Sequence, residues 1–136
     1  MFKVTYKFNP KKLFLIIHLS LLFLGMLLTI GRHQSLDTDF VILNAYITAH
    51  ISNFSLTLLT FIGIGYTYLL TDAKFICINL LAVGLIIGNL LCETVMTFLN
   101  TPDIVDAYFG IAAVIIVYIF FLLFKKYGLV LIETNT

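Results

Sequence analysis

The chain has 136 residues, of which 61% are hydrophobic and 11% charged, and its formal net charge is +1. Soluble domains carry about 25% charged residues, and so short a chain has too little interior to hide this many apolar side chains, so a water-soluble globular fold is excluded. The remaining solvent is lipid, and the near-zero charge with short basic flanks gives no basis for nucleic-acid binding.

The first element follows a basic leader. Lys3, Lys7, Lys11 and Lys12 precede an uncharged run from Leu13 to Gly31, close to the roughly 20 residues a helix needs to cross a 30 Å hydrocarbon layer. Its apolar core exceeds the roughly 7 to 15 residues of a signal peptide, and Arg32 and His33 follow where a small-x-small cleavage site would stand. It reads as a permanent helix.

The stretch from Arg32 to Asn53 comes next. Its apolar run Phe40 to Ala49 is too short to span, and joined to the second helix it would give about 32 residues, or roughly 48 Å. A break is expected, with an interfacial or re-entrant piece around Asp39 to Thr48 entering the span near His50. The alternative is one long, tilted second helix.

Three further uncharged runs follow, Ile51 to Thr71, Phe75 to Cys92 and Ala107 to Phe124. None shows the period-two alternation of a membrane β-barrel, and lipid leaves a backbone no other partner than its own helix. The expected fold is therefore all-α: a single polytopic transmembrane domain over 1–136, with spans at about 13–31, 51–71, 75–99 and 103–124 and a short interfacial or re-entrant segment between helices 1 and 2. Lys3, Lys7, Lys11, Lys12, Lys74, Lys125 and Lys126 fall on one side and Arg32 on the other, which the positive-inside rule reads as both termini cytoplasmic. Cys77 and Cys92 lie roughly 22 Å apart on the third helix, beyond disulfide reach, and read as packing residues.

Counting from the basic residues gives depth. Lys12 to Arg32, Lys74 to Glu93 and Asp106 to Lys125 are each about 19 or 20 residues, which puts Arg32, Glu93 and Asp106 at one level roughly 28 to 30 Å from the inner boundary. Asn53 reaches the same height, with His50 a turn above it. On the third helix Asn89, Glu93, Met96 and Asn100 share a stripe beside a ridge of Gly84, Gly88 and Cys92, and on the fourth Asp103, Asp106, Gly110 and Ala113 share a face. Carboxylates in lipid turn toward a bundle interior or water, so Glu93 and Asp106 are expected to face each other across a pocket.

Plainer roles stand beside these. Thr101-Pro102-Asp103 reads as a helix start with Thr101 as N-cap, which gives Asp103 a capping reading of equal weight. Asp106 suits either function or an ion pair with Arg32. His50 reads equally as an interfacial residue, and His18 as a contact inside the bundle. His33, Asp37 and Asp39 resemble a metal site only loosely, because loop spacing fixes no geometry. No Gly-rich phosphate loop is present, no cofactor is expected, and metal binding is left open.

The run Glu93-Thr94-Val95-Met96, the segment Asp103-Ile104-Val105-Asp106 opening the last helix, and His50-Ile51-Ser52-Asn53-Phe54 opening the second resemble the VanZ-like family of small bacterial membrane proteins, over roughly Ala49 to Val117. In that family a Glu near the end of one span, often followed three residues later by Gln, precedes an Asp-x-x-Asp-x-x-x-Asn-x-x-Gly segment. Glu93, Asp103 and Asp106 match; Met96, Gly110 and Ala113 replace the Gln, Asn and Gly, and Asn100-Thr101-Pro102 stands where a basic residue is often found. The resemblance implies a multi-pass protein of the bacterial inner membrane with a cell-envelope role, in a family linked to glycopeptide resistance.

Three functions remain in play. The first is a non-enzymatic protein whose outer-leaflet pocket, formed by His50, Asn53, Glu93, Asp103, Asp106 and Arg32, binds a membrane lipid, a lipid-linked envelope precursor or a lipophilic antibiotic. The second is a metal-dependent hydrolase of a lipid phosphate, for which the outer side supplies few cationic clamps. The third is an accessory subunit, or homo-oligomer, that packs on a membrane partner through Gly84 and Gly88. Proton-coupled transport ranks behind these, since four helices are few for alternating access.

Overall fold

Lys11 and Lys12 mark where the polar leader gives way to a run of Leu, Ile and Phe, and there the first helix begins. In the computed structural model, which describes residues 6–71, 73–95 and 103–132, this helix, α1, covers Lys12–Asp37 and continues beyond the uncharged run to include Arg32 and His33. Three more follow: α2, Ala45–Leu70; α3, Ile76–Thr94; and α4, Ile104–Leu123, which continues as one wider turn, Phe124–Gly128. All four are long and apolar enough to cross a membrane. The protein is an all-α, multi-pass membrane protein.

The connection before α2 differs from expectation. Only residues 38–44 are non-helical, and Ala45 to Thr48, expected in an interfacial piece, form the first turn of α2. Local chemistry sets this boundary. Asn44 caps the helix by accepting the Ile47 N–H at 2.8 Å, and Thr48 Oγ1 accepts the Ile42 N–H at 2.7 Å, so the loop folds back on the turn it precedes. Leu43 turns the chain there with a φ of 61°. With 26 residues, α2 measures roughly 39 Å, which accommodates a 30 Å layer by tilting.

The start of α4 also differs. Asp103 is itself the N-cap, with its side chain accepting the Val105 N–H at 2.9 Å; Thr101, Pro102, Met96 and Asn100 lie outside the described residues, as does the expected third span beyond Val95.

The core lies between α2 and α4. Leu58, Phe61 and Ile62 meet Ala113, Val117 and Phe121 there, all fully buried, and Phe61 and Phe121 pack edge to face at 5.3 Å. Gly65 permits this, because a methyl group in its place would collide with the Phe121 ring. α1 packs on α2, and α3 packs on α4 and, less extensively, on α2. Leu13, Phe23, Ile30, Leu80, Ile115 and Ile119 point outward and exposed, as lipid-facing residues must. His18 is buried as expected of a bundle contact, stacked on Tyr66 at 3.8 Å. Cys77 and Cys92 are both free of a disulfide.

A short antiparallel ribbon closes one end. β1, Phe8–Pro10, pairs with β2, Leu129–Leu131, in the register Phe8 with Leu131 and Pro10 with Leu129. Lys7 N–H adds a bond to the Leu70 carbonyl at 2.8 Å. The entry to α1 and the exit from α4 therefore lie at the same end, and the polar residues of matched depth gather at the other.

Candidate functional site

At the end opposite the ribbon, five polar side chains from α2, α3 and the head of α4 form one network. His50 and Asn53, three residues apart, share a face of α2. Glu93 stands in the last turn of α3, and Asp103 and Asp106 bracket the first turn of α4.

Glu93 is the buried anchor, 4% exposed. The Asn53 side-chain amide donates to its Oε1 at 2.9 Å, and the Asp103 backbone N–H reaches its Oε2 at 3.3 Å. A carboxylate removed from water needs such donors, since burial without them costs several kcal/mol. Asp103 in turn spends Oδ1 on the Val105 N–H, and its Oδ2 lies 3.6 Å from His50 Nδ1. Asp106 Oδ1 lies 2.9 Å from the same nitrogen. Glu93 and Asp106 thus belong to one cluster, with Asp103 linking them. Both His50 and Asp106 side chains are 14% exposed, whereas Asp103 is 42% exposed and forms the wet rim.

Arg32 does not join this cluster. Its guanidinium donates to Ser35 Oγ on its own helix at 3.3 Å, and it lines a separate cavity with Asp39, Phe40 and Thr48 between the end of α1 and the start of α2. The expected ion pair with Asp106 is therefore replaced by the His50 contact. Among the described residues no lysine or arginine pairs with Glu93, Asp103 or Asp106. The physical reason is lateral: α1 packs on α2, so a residue at the right height on α1 still faces the wrong neighbour.

The network continues one turn deeper. Thr57 and Asn89 are hydrogen-bonded across α2 and α3, with the Asn89 amide donating to Thr57 Oγ1 at 3.1 Å. Asn89 also lies against Gly110, where any side chain would strike its amide. Beside these rungs a cavity of about 220 Å³ runs between α2 and α3, lined by Asn53, Leu56, Thr57, Gly84, Gly88 and Asn89. Among the described residues nothing approaches the space a side chain would occupy at Gly84 or Gly88, so this ridge lies open to them.

Three contributors escaped the sequence reading. Tyr46 packs its ring against His50 at 4.8 Å and Phe109 does so at 5.8 Å, while Thr57 partners Asn89. Each stands one helical turn from a residue already singled out: Tyr46 before His50, Phe109 after Asp106 and Thr57 after Asn53. That spacing was the available signal.

One donor of each of His50, Asp103 and Asp106 lies within 4.8 Å of the others, the one such group of potential metal ligands among the described residues. His33, Asp37 and Asp39 do not converge in this way. No protein-family model, no curated protein and no solved structure matches the chain. Function has to be read from the cluster itself.

Proposed function

We propose that this chain is a VanZ-like protein of the bacterial cell envelope, with both termini cytoplasmic, that binds the polar end of an amphiphile at the outer edge of the membrane. The amphiphile would be a lipid, a lipid-linked precursor or a lipophilic antibiotic. The observation that carries this reading is Asn53, which lines the open α2–α3 cavity and donates to the buried carboxylate of Glu93 behind it. An apolar chain laid along Gly84 and Gly88 leads its polar end to Asn53 and onward to the carboxylates, an arrangement of apolar wall and few convergent polar groups that suits small-molecule recognition. The test is native mass spectrometry of the detergent-purified protein against a Glu93→Gln, Asp106→Asn double variant. A lipid retained by the wild type and lost by the folded variant is the expected result; identical lipid complements would sink the reading.

A second reading rests on the same open ridge. Small residues that meet nothing among the described residues let a partner helix approach closely, so Gly84 and Gly88 support a self-associating or accessory role. Replacing both by Leu should then shift the detergent-solubilised protein to a smaller species in light scattering.

A further inference from the structure

We infer that His50 Nδ1, Asp103 Oδ2 and Asp106 Oδ1 together bind one divalent transition-metal ion, with Zn²⁺ the best match. Donors at roughly 2.0–2.1 Å from a tetrahedral Zn²⁺ stand about 3.4 Å from one another. The two spacings from His50 Nδ1, 2.9 Å and 3.6 Å, bracket that value, and all three donors lie within 4.8 Å of one another, so side-chain rotations that draw the two carboxylates together complete the site. One imidazole nitrogen with two carboxylate oxygens is a donor set for a first-row metal, whereas Mg²⁺ and Ca²⁺ take oxygen ligands.

Two independent features point the same way. Proton count is the first. His50 Nδ1 carries at most one hydrogen, which serves Asp106, and 3.6 Å is too long for the same hydrogen to reach Asp103 Oδ2, so this oxygen, on a side chain 42% exposed, is left to water or to an added ion. An ion satisfies all three atoms at once. Charge is the second. Glu93, Asp103 and Asp106 gather in one partly buried cluster with no lysine or arginine paired to them among the described residues, and like charges in a medium poorer than water repel strongly. A divalent cation offsets that repulsion.

The surroundings hold the ligands in place. Asp103 is fixed twice, through its Oδ1 on the Val105 N–H and through its own N–H on Glu93, which leaves Oδ2 turned to His50. Glu93 is held in turn by Asn53, making Glu93 and Asn53 positioning residues behind a ligand. Three protein donors leave a coordination position open. Resting on the amphiphile reading, that position would take an anionic headgroup oxygen, such as that of a phosphate, which the carboxylates alone would repel. Metal binding itself does not depend on that step.

The experiment loads the full chain, purified in detergent on a histidine-free tag, with Zn²⁺ and measures metal retained after gel filtration by elemental mass spectrometry, with lipid content measured on the same samples. The wild type should retain about one Zn²⁺ per chain. Asp103→Asn keeps the helix cap, because Asn caps as well as Asp, and should weaken Zn²⁺ binding by more than about tenfold. His50→Gln and Asp106→Asn should do the same, and His33→Gln should not. Absence of retained Zn²⁺, or equal retention by every folded variant, overturns the inference. Lipid lost from the Glu93→Gln, Asp106→Asn double variant while Zn²⁺ is never retained would remove the metal and leave the amphiphile reading standing.

Discussion

Asn53 on α2 donates a 2.9 Å hydrogen bond to the buried carboxylate of Glu93 on α3, and one turn deeper Thr57 and Asn89 repeat the link between the same helices. The two rungs join residues four apart on each helix, so each fixes the other's register. They bridge helices that otherwise share a small contact, flanked by an open cavity.

Removing the upper rung should therefore be costly. Asn53→Leu leaves Glu93 Oε1 buried without its donor, and stability should fall by about 1–3 kcal/mol. Glu93→Gln, which keeps an acceptor for Asn53, should lose less. Reversible unfolding in mixed micelles, followed by circular dichroism, measures both; an Asn53→Leu loss no larger than that of Glu93→Gln would refute the rung's role.

Gly110 on α4 and Gly84 on α3 should behave oppositely. Gly110→Val drives a side chain into the Asn89 amide, and overpacking of this kind costs about 1–3 kcal/mol. Gly84→Ala meets open space among the described residues and should hold stability or raise it by up to about 1 kcal/mol, since alanine is the better helix former. Thermal melts of the two variants in detergent settle the ranking.

Much of this arrangement was legible beforehand. Uncharged runs gave the four helices, because a backbone in lipid has no alternative, and residue counting from the lysines put Arg32, Asn53, Glu93 and Asp106 at one height, with His50 and Asp103 about a turn beyond. Counting gives height and no lateral direction. Arg32 met the height criterion and still sits elsewhere, since its helix packs on α2. The short loop before α2 was equally hidden: hydropathy registers the apolar run Phe40 to Ala49, while the boundary is set by the caps of Asn44 and Thr48.

The ribbon offers a direct test of the fold. With Cys77 and Cys92 replaced by Ser, a Phe8→Cys, Leu131→Cys pair occupies facing positions of β1 and β2. Mild oxidation should close an intramolecular disulfide in membranes, read as thiols lost to a maleimide reagent. Thiols that stay fully reactive would show that the strands do not meet.

Orientation has its own measurement. The six described lysines at the ribbon end predict that a fluorescent protein fused after residue 136 folds in the cytoplasm and glows, while a phosphatase active only outside stays silent. The reverse pattern would turn the cluster toward the inner leaflet.

The ribbon also sets an order of events during synthesis. β1 is made before α1 and β2 after α4, so this contact, among the most distant in sequence between described residues, forms only when the ribosome has delivered both. Until then β1 has no partner strand, and its backbone link to the bundle is the Lys7 N–H on the Leu70 carbonyl, available once α2 is made. Closure of the ribbon marks the passage from a set of inserted helices to a clasped bundle, and a chain arrested before Leu129 would carry four spans without their clasp.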